Sequence, residues 1–227
     1  MDELSEPGTG GTAQTDPDAV VTTVVVAITD ARLRQGIVDR IADAGDLELV
    51  GVSETGRDTL ELIASAVPGV AVIDLQLQEP DGLEVCTHVA ESFPAVRVLL
   101  TASADDRRSS EGVLAGARGY VPAAELAARV VDVVRRIARG EAVAPQDWAA
   151  HLLAEIDHLE AGSRGPVPNP VLTPGEIEVL TQFAGGLRAE EVAAQLGVPV
   201  RLVNLRVAAA IGKLSRYHRD RRGIDAT

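Results

Sequence analysis

Asp74, Thr101 and Asp30 are the side chains best placed to do chemistry along this 227-residue chain. Asp74 closes the apolar run VAVID, Thr101 closes VRVLLT, and Asp30 stands just after TVVVAI. A carboxylate is an oxygen nucleophile and a hydroxyl both donates and accepts. An Asp and a Thr at neighbouring strand ends can therefore receive a phosphoryl group and hold one of its oxygens. The same residue types also cap helices and turns at the strand ends of any α/β protein, so these positions alone leave both readings open. Other chemistries have less support. The sequence has no GxxxxGK[ST] or GxGxxG phosphate loop, no GxSxG and no Cys/His nucleophile arrangement. Histidines 88, 151, 158 and 218 are scattered, and His151 and His158 read as a surface stripe. The single cysteine, Cys86, excludes an intrachain disulfide and any Cys-rich metal site, and reads as a buried small hydrophobe.

The elements that must hold these residues are legible in the hydrophobic pattern. Five strand-like runs occur at Thr23–Ile28, Leu47–Ser53, Val70–Asp74, Val96–Thr101 and Gly119–Pro122. They are short, β-branched and nearly unbroken, as strands covered on both faces are. Helical spacings lie between or after them: Leu33, Ile37 and Ile41; Leu60, Ile63 and Val67; and Leu126, Val130, Val133, Val134 and Ile137, ending near Gly140. The alternation predicts an α/β doubly wound five-stranded parallel sheet over residues 21–141, with its chemistry at the carboxyl ends of the strands.

Residues 1–20, acidic and rich in Gly and Thr, read as a disordered tail. Residues 142–170 read as a connection: a helix over Gln146–Ala161 with Trp148, Leu152 and Leu159 available for packing, then the Pro/Gly linker GSRGPVPNP. The segment 171–227 is helical in pattern throughout. Thr173, Pro174 and Glu176 mark an N-cap, an N1 proline and a capping-box glutamate. A helix over Leu187–Leu196, a Gly197-Val198-Pro199 turn and a helix over Val200–Leu214 give a small all-α helix-turn-helix domain.

Hydrophobic residues make up 46% and charged residues 24%, the balance of a globular protein; aromatics are 2%, so the core must be built from Val, Leu, Ile and Ala. No apolar run approaches the ~18 residues of a membrane span. The amino terminus lacks the basic and apolar regions of a secretory signal, which favours the cytoplasm and no membrane partner. Charge is uneven. Residues 1–170 carry 13 basic and 28 acidic groups, a net of −15, whereas residues 171–227 carry 8 and 6, a net of +2. An acidic body joined to a mildly basic end fits a regulatory domain on a nucleic-acid-binding one, although +2 over 57 residues is also an ordinary value.

The segment PGVAVIDLQLQEPDGLE (68–84), with RVLLTAS ending at Ser103 and GARGYV (116–121), resembles the receiver domain of response regulators over roughly residues 22–140. The resemblance implies that Asp74 is the phosphoacceptor, that Thr101 belongs to its pocket, that Tyr120 is the switch aromatic, and that a histidine kinase or other regulatory protein is a partner. Receivers place two adjacent acids at the end of the first strand to hold Mg2+. Here Ile28 and Thr29 stand there, with Asp30 one position beyond. The metal ligands left are Asp30, Asp74 and the carbonyl of Gln76, a doubtful set for an ion that takes oxygen ligands in near-ideal octahedral geometry. The family's lysine after the fifth strand is replaced by Ala123. Losing one preorganised charge of that kind costs ~3 kcal/mol in a transition state. The resemblance with these departures implies an atypical receiver with a degenerate Mg2+ and phosphorylation pocket.

Residues 171–214 resemble the LuxR-type DNA-binding domain through Leu172-Thr173-Pro174, Glu176, Gly186-Leu187, Glu191-Val192-Ala193, Val203, Val207 and Lys213-Leu214. Together the two segments have the layout of NarL/FixJ-family response regulators. This implies a transcription regulator rather than an enzyme, with double-stranded DNA as partner and a homodimer formed through the receiver. Val200–Leu214 becomes the recognition helix: Arg201, Asn204 and Arg206 can read bases, and Arg188 and Lys213 can contact phosphates. Asn204-Leu205-Arg206 replaces the frequent Lys-Thr-His, and SRYHRDRRGIDAT replaces the usual dimerising helix. The basic cluster Arg216, Arg219, Arg221 and Arg222 reads either as a phosphate-binding tail or as a solvated disordered end. The alternatives are a conventional regulator phosphorylated at Asp74 and a protein-interaction module that has lost DNA binding.

Overall fold

The computed structural model describes residues 21–103, 111–112, 115–143, 150, 153–154 and 172–225, the last eight by backbone alone. The expected tail 1–20, most of the expected helix 146–161 with its Trp148, Leu152 and Leu159, the linker 162–170 and the pair His151 and His158 lie outside the described residues.

Five strands form one parallel sheet: β1 (Thr22–Ala27), β2 (Leu47–Ser53), β3 (Val70–Asp74), β4 (Arg97–Ala102) and β5 (Gly119–Pro122). Their spatial order is β2-β1-β3-β4-β5, so the strand order reverses direction between β1 and β3. The runs expected at 23–28 and 96–101 are each displaced by one residue. Helices α1 (Ala31–Ala42), α2 (Gly56–Ala66), α3 (Gly82–Ser92) and α4 (Ala123–Ala138) cover the faces.

Side chains alternate across a strand, and β1 shows how this splits the core. Val24 and Val26, followed by Ile28, join Ile37 and Ile41 of α1 and Val130, Val133, Val134 and Ile137 of α4 on one face. Val25 and Ala27 join Ile63 of α2 and Val85, Cys86 and Val89 of α3 on the other. Val67, expected on the buried face of α2, is instead its C-cap, with φ 42° and 51% exposure. Pro68 follows it and disfavours helical backbone at the preceding residue, so the helix stops one position short.

Three helices make the C-terminal unit: α5 (Pro174–Ala184), α6 (Ala189–Leu196) and α7 (Val200–Asp225). The Thr173 hydroxyl accepts from the Glu176 amide while Glu176 accepts from the Thr173 amide, which is the expected capping box. Gly197 closes α6 in the left-handed region at φ 65°, and the chain turns by 108° into α7, within the range of helix-turn-helix units. Val179, Leu180, Val192, Val203, Val207 and Ile211 form its core. The segment read as a tail after Leu214 is helical: α7 continues without a break for 26 residues, about 39 Å at the α-helical rise. No proline interrupts this stretch, and its many arginines are good helix formers. Among the described residues no single helix is long and apolar enough to cross a membrane.

Candidate functional site

Asp74 ends β3 with its side chain almost wholly buried at 6% exposure. Glycine 82 makes this corner possible, because a Cβ there would lie 2.1 Å from the Asp74 carbonyl oxygen. Both carboxylate oxygens have donors. Thr29 Oγ1 donates to Asp74 Oδ2 at 2.7 Å, with the Thr29 amide behind it at 3.4 Å, and the Gln76 amide donates to Oδ1 at 3.0 Å. Thr29 comes from the loop after β1, which is next to β3 in the sheet, so the strand order brings it to the acceptor. An open cleft of about 650 Å³ lies alongside, lined by Thr29, Gln76, Gln78, Glu79 and Asp81 among others.

The other expected pocket residues take different positions. Thr101 is opposite Asp74 in register, but its buried hydroxyl donates to the Val121 carbonyl on β5 at 2.9 Å rather than to the acceptor. A hydroxyl with no access to water needs a partner, and the neighbouring strand supplies it. Asp30 is the N-cap of α1, accepting from the Leu33 amide at 2.7 Å, a local bond that satisfies a first-turn donor. The Gln76 carbonyl accepts from Gln78 Nε2 at 3.2 Å. Of the three expected metal ligands, Asp30 thus caps α1 and the Gln76 carbonyl accepts a side-chain amide, and no group of three or more His, Cys, Asp or Glu suited to a metal occurs among the described residues. Tyr120 is buried at 6% exposure within the core that faces α2 and α3.

The expected DNA-contacting residues also divide. Arg188 and Arg201 are exposed, and Arg206 is half-buried beside the first turn of α5 at Gly175. Lys213 is not directed outward. Its Nζ donates to the buried Glu176 carboxylate at 2.8 Å, joining α7 to α5. Asn204 is buried at 7% exposure, and its Nδ2 donates to Glu141 Oε2 at 3.3 Å, just beyond α4. Beside it Arg118 Nη1 donates to the Ala208 carbonyl at 3.2 Å, and Ala142 packs into the core of the helical unit. Gly212 provides the notch for this arginine, since a Cβ there would lie 2.8 Å from Arg118 Nη1. Arg118 directly precedes β5, so α7 is held at the end of the parallel sheet opposite Asp74.

The family model for the response regulator receiver domain matches residues 24–135. That segment is a response regulator receiver domain. It is similar to the uncharacterized transcriptional regulatory protein YxjL of Bacillus subtilis, 28% identical over 86% of this chain and 90% of that one. It is also similar to the DNA-binding transcriptional activator DevR/DosR of Mycobacterium tuberculosis, 26% identical over 86% and 89%. The RcsB response regulator of Salmonella typhimurium shares its fold, with a TM-score of 0.51 at 18% identity over 86% of this chain and 92% of that one.

Two residues that sequence reasoning passed over hold the sites together. Arg34, in the first turn of α1, donates through Nη1 to the carbonyls of Ile28 at 2.6 Å and Thr29 at 3.2 Å, and pairs through Nη2 with Glu54. The signal for it was the absence of acids at Ile28 and Thr29, which leaves a strand end able to take a cation. Glu141 is the second. Burial pushes its carboxyl up, but hydrogen bonds from Arg136 at 3.1 Å and Arg139 at 3.2 Å outweigh that and hold it below the usual glutamate value. Its signal was a lone acid between Gly140 and the apolar Ala142-Val143.

Proposed function

We propose that this response regulator is a DNA-binding transcription regulator whose receiver operates without conventional Mg2+-dependent phosphorylation of Asp74. The observation that carries the receiver half of this reading is the Thr29–Asp74 bond. The acceptor oxygen that would attack a phosphoryl group is already engaged by a hydroxyl at 2.7 Å, and no preorganised lysine follows β5. Its control is through a protein partner, a histidine kinase or another regulator, and through pairing of receivers in a homodimer. The DNA half rests on the α6–α7 geometry, which suits an α7 amino-terminal half inserted in the major groove with Arg201 and Arg206 at the base edges. In the closed arrangement Asn204 is covered by Glu141, so full insertion requires α7 to leave the receiver.

Two measurements test this reading. Incubation with acetyl phosphate, with and without Mg2+, is expected to give little acid-labile phosphate. A rapid stoichiometric label that Asp74→Asn removes would restore the conventional mechanism. Genome-wide binding by the tagged protein is expected to show discrete sites lost in an Arg201→Ala/Arg206→Ala variant. A second reading, a protein-interaction module, is favoured by one observation: the outward residues of α7 include Leu202 and Leu205, each more than a third exposed, with Ala209 on the same side. Absence of any genomic site for the full chain would select that reading.

A further inference from the structure

The outward face of α7 is apolar where a groove-reading helix commonly carries hydrogen-bonding groups. Val203, Val207, Ala210 and Leu214 turn into the core of the helical unit. At about 100° per residue, Leu202, Leu205 and Ala209 lie within about 60° of one another on the other side. All three are exposed, and Leu202 and Leu205 are the only exposed leucines among the described residues. Asn204, the polar residue between them in sequence, turns to Glu141 of the receiver instead.

Arg201 and Arg206 stand about 40° beyond the stripe, one on each side. From Val200 to Arg219 the helix has five basic residues and no acidic one. An apolar stripe set in unopposed positive charge fits a polyanion that exposes apolar groups between its phosphates. Duplex DNA is such a partner, because the thymine C5 methyl is the one apolar group that the base edges present in the major groove.

We infer that Leu202 and Leu205 read thymine methyl groups in the major groove, so that thymine positions specify the half-site this chain prefers. The inference rests on the reading that α7 enters DNA, and names what it selects there. From Leu202 to Ala209 the stripe rises about 10 Å, the height of about three base pairs at ~3.4 Å each. Arg201, exposed beside the stripe, adds a bidentate guanine contact at its edge. Over a G·C pair the same leucines would strip water from O6, N7 and N4 and return no hydrogen bond, which weakens binding. Ala209 has only a Cβ, so the next turn does not hold the leucines off the base edges.

Fluorescence anisotropy of the full chain at fixed salt, on a duplex taken from one of its genomic sites, tests the assignment. Deoxyuridine replaces thymine one position at a time, which removes the methyl and leaves the pairing and every hydrogen-bonding group intact. At one or more positions of each half-site the affinity is expected to fall about fourfold, the worth of one buried methyl. Leu205→Ala is expected to weaken binding to the thymine site by at least that factor and to abolish the uracil effect at its position. Its salt dependence is expected to match the wild type, because no phosphate contact is lost. Arg201→Ala is expected to weaken binding yet keep the uracil effect. Both leucines are exposed, and circular dichroism melts establish that each variant is folded. Uracil without effect at every thymine of a bound site would overturn the methyl reading alone, because the DNA is still bound. A Leu202→Ala/Leu205→Ala variant that binds and discriminates like the wild type would also overturn it, and would assign the stripe to a protein contact. Failure of the full chain to bind any genomic duplex would overturn both the inference and the DNA reading beneath it.

Discussion

The side-chain amide of Asn204 donates to Glu141 Oε2 at 3.3 Å, joining residues 63 positions apart and tying the amino-terminal half of α7 to the end of α4. The carboxylate is itself held by Arg136 and Arg139. A side chain suited to reading adenine is therefore the hydrogen-bond partner of a buried acid. If the closed arrangement withholds α7 from DNA, removing the acid favours the open one. A hydrogen bond of this kind contributes on the order of 1 kcal/mol, so Glu141→Ala is expected to raise the DNA affinity of the full chain about fivefold. Fluorescence anisotropy on a target site checks this, and unchanged or lower affinity would show that the contact does not restrain the helix.

Gly212 separates the stability of the helical unit from its contact with the receiver. A glycine inside a helix costs ~1 kcal/mol relative to alanine, whereas a Cβ here would crowd Arg118 at 2.8 Å and move it from the Ala208 carbonyl. Gly212→Ala is expected to raise the melting temperature of the helical unit while loosening the contact between the units. Differential scanning calorimetry reads the first effect. Faster limited proteolysis between the units reads the second, and susceptibility unchanged from the wild type would count against the notch.

Lys213 has a structural partner where a phosphate contact was expected. Its loss leaves the Glu176 carboxylate buried with only Thr173 to satisfy it. Breaking a buried pair costs ~3–5 kcal/mol, and the 29% exposure of Lys213 reduces this to about 1–2 kcal/mol. Lys213→Ala is expected to lower stability by that amount in urea unfolding. A variant of unchanged stability that bound DNA less tightly would return Lys213 to the phosphate backbone.

Acid should act on the same pair. Burial pushes the Glu176 carboxyl up, but hydrogen bonds from Lys213 and Thr173 outweigh it, so the folded value lies below the usual 4.5. A depressed folded value means that the unfolded chain binds the proton first. The stabilisation is fully present above pH 4.5 and is lost as pH falls through the lower folded value. Glu141 is shifted in the same direction and shares this window, whereas Asp46, lowered from 3.8 by its two bonds to Arg135, contributes fully above pH 3.8 and is lost below it. Thermal melts between pH 7 and pH 3 are expected to show a flat limb and then a fall. Glu176→Gln is expected to make the fall shallower, and an unaltered acid limb would exclude Glu176 as a contributor.

What the sequence by itself determined is what depends on neighbours along the chain. Alternation in VVVAI, the Ile37/Ile41 and Val130/Val133/Val134/Ile137 spacings and the Thr173-Pro174-Glu176 start all produced the elements they implied, because pleat, helical period and capping act within a few residues. Asp74 was legible as the buried end of β3 for the same reason. Tertiary structure decided which polar groups were spent on one another. Thr29 reaches Asp74 across 45 positions, Lys213 reaches Glu176 across 37, and Arg118 reaches Ala208 across 90. A hydrophobic period marks a buried face but carries no information about what a polar residue at its border will meet. Asn204 and Lys213 therefore read as groove contacts until the docking of α4 and α5 against α7 supplied buried carboxylates, which must be paired where water cannot reach them.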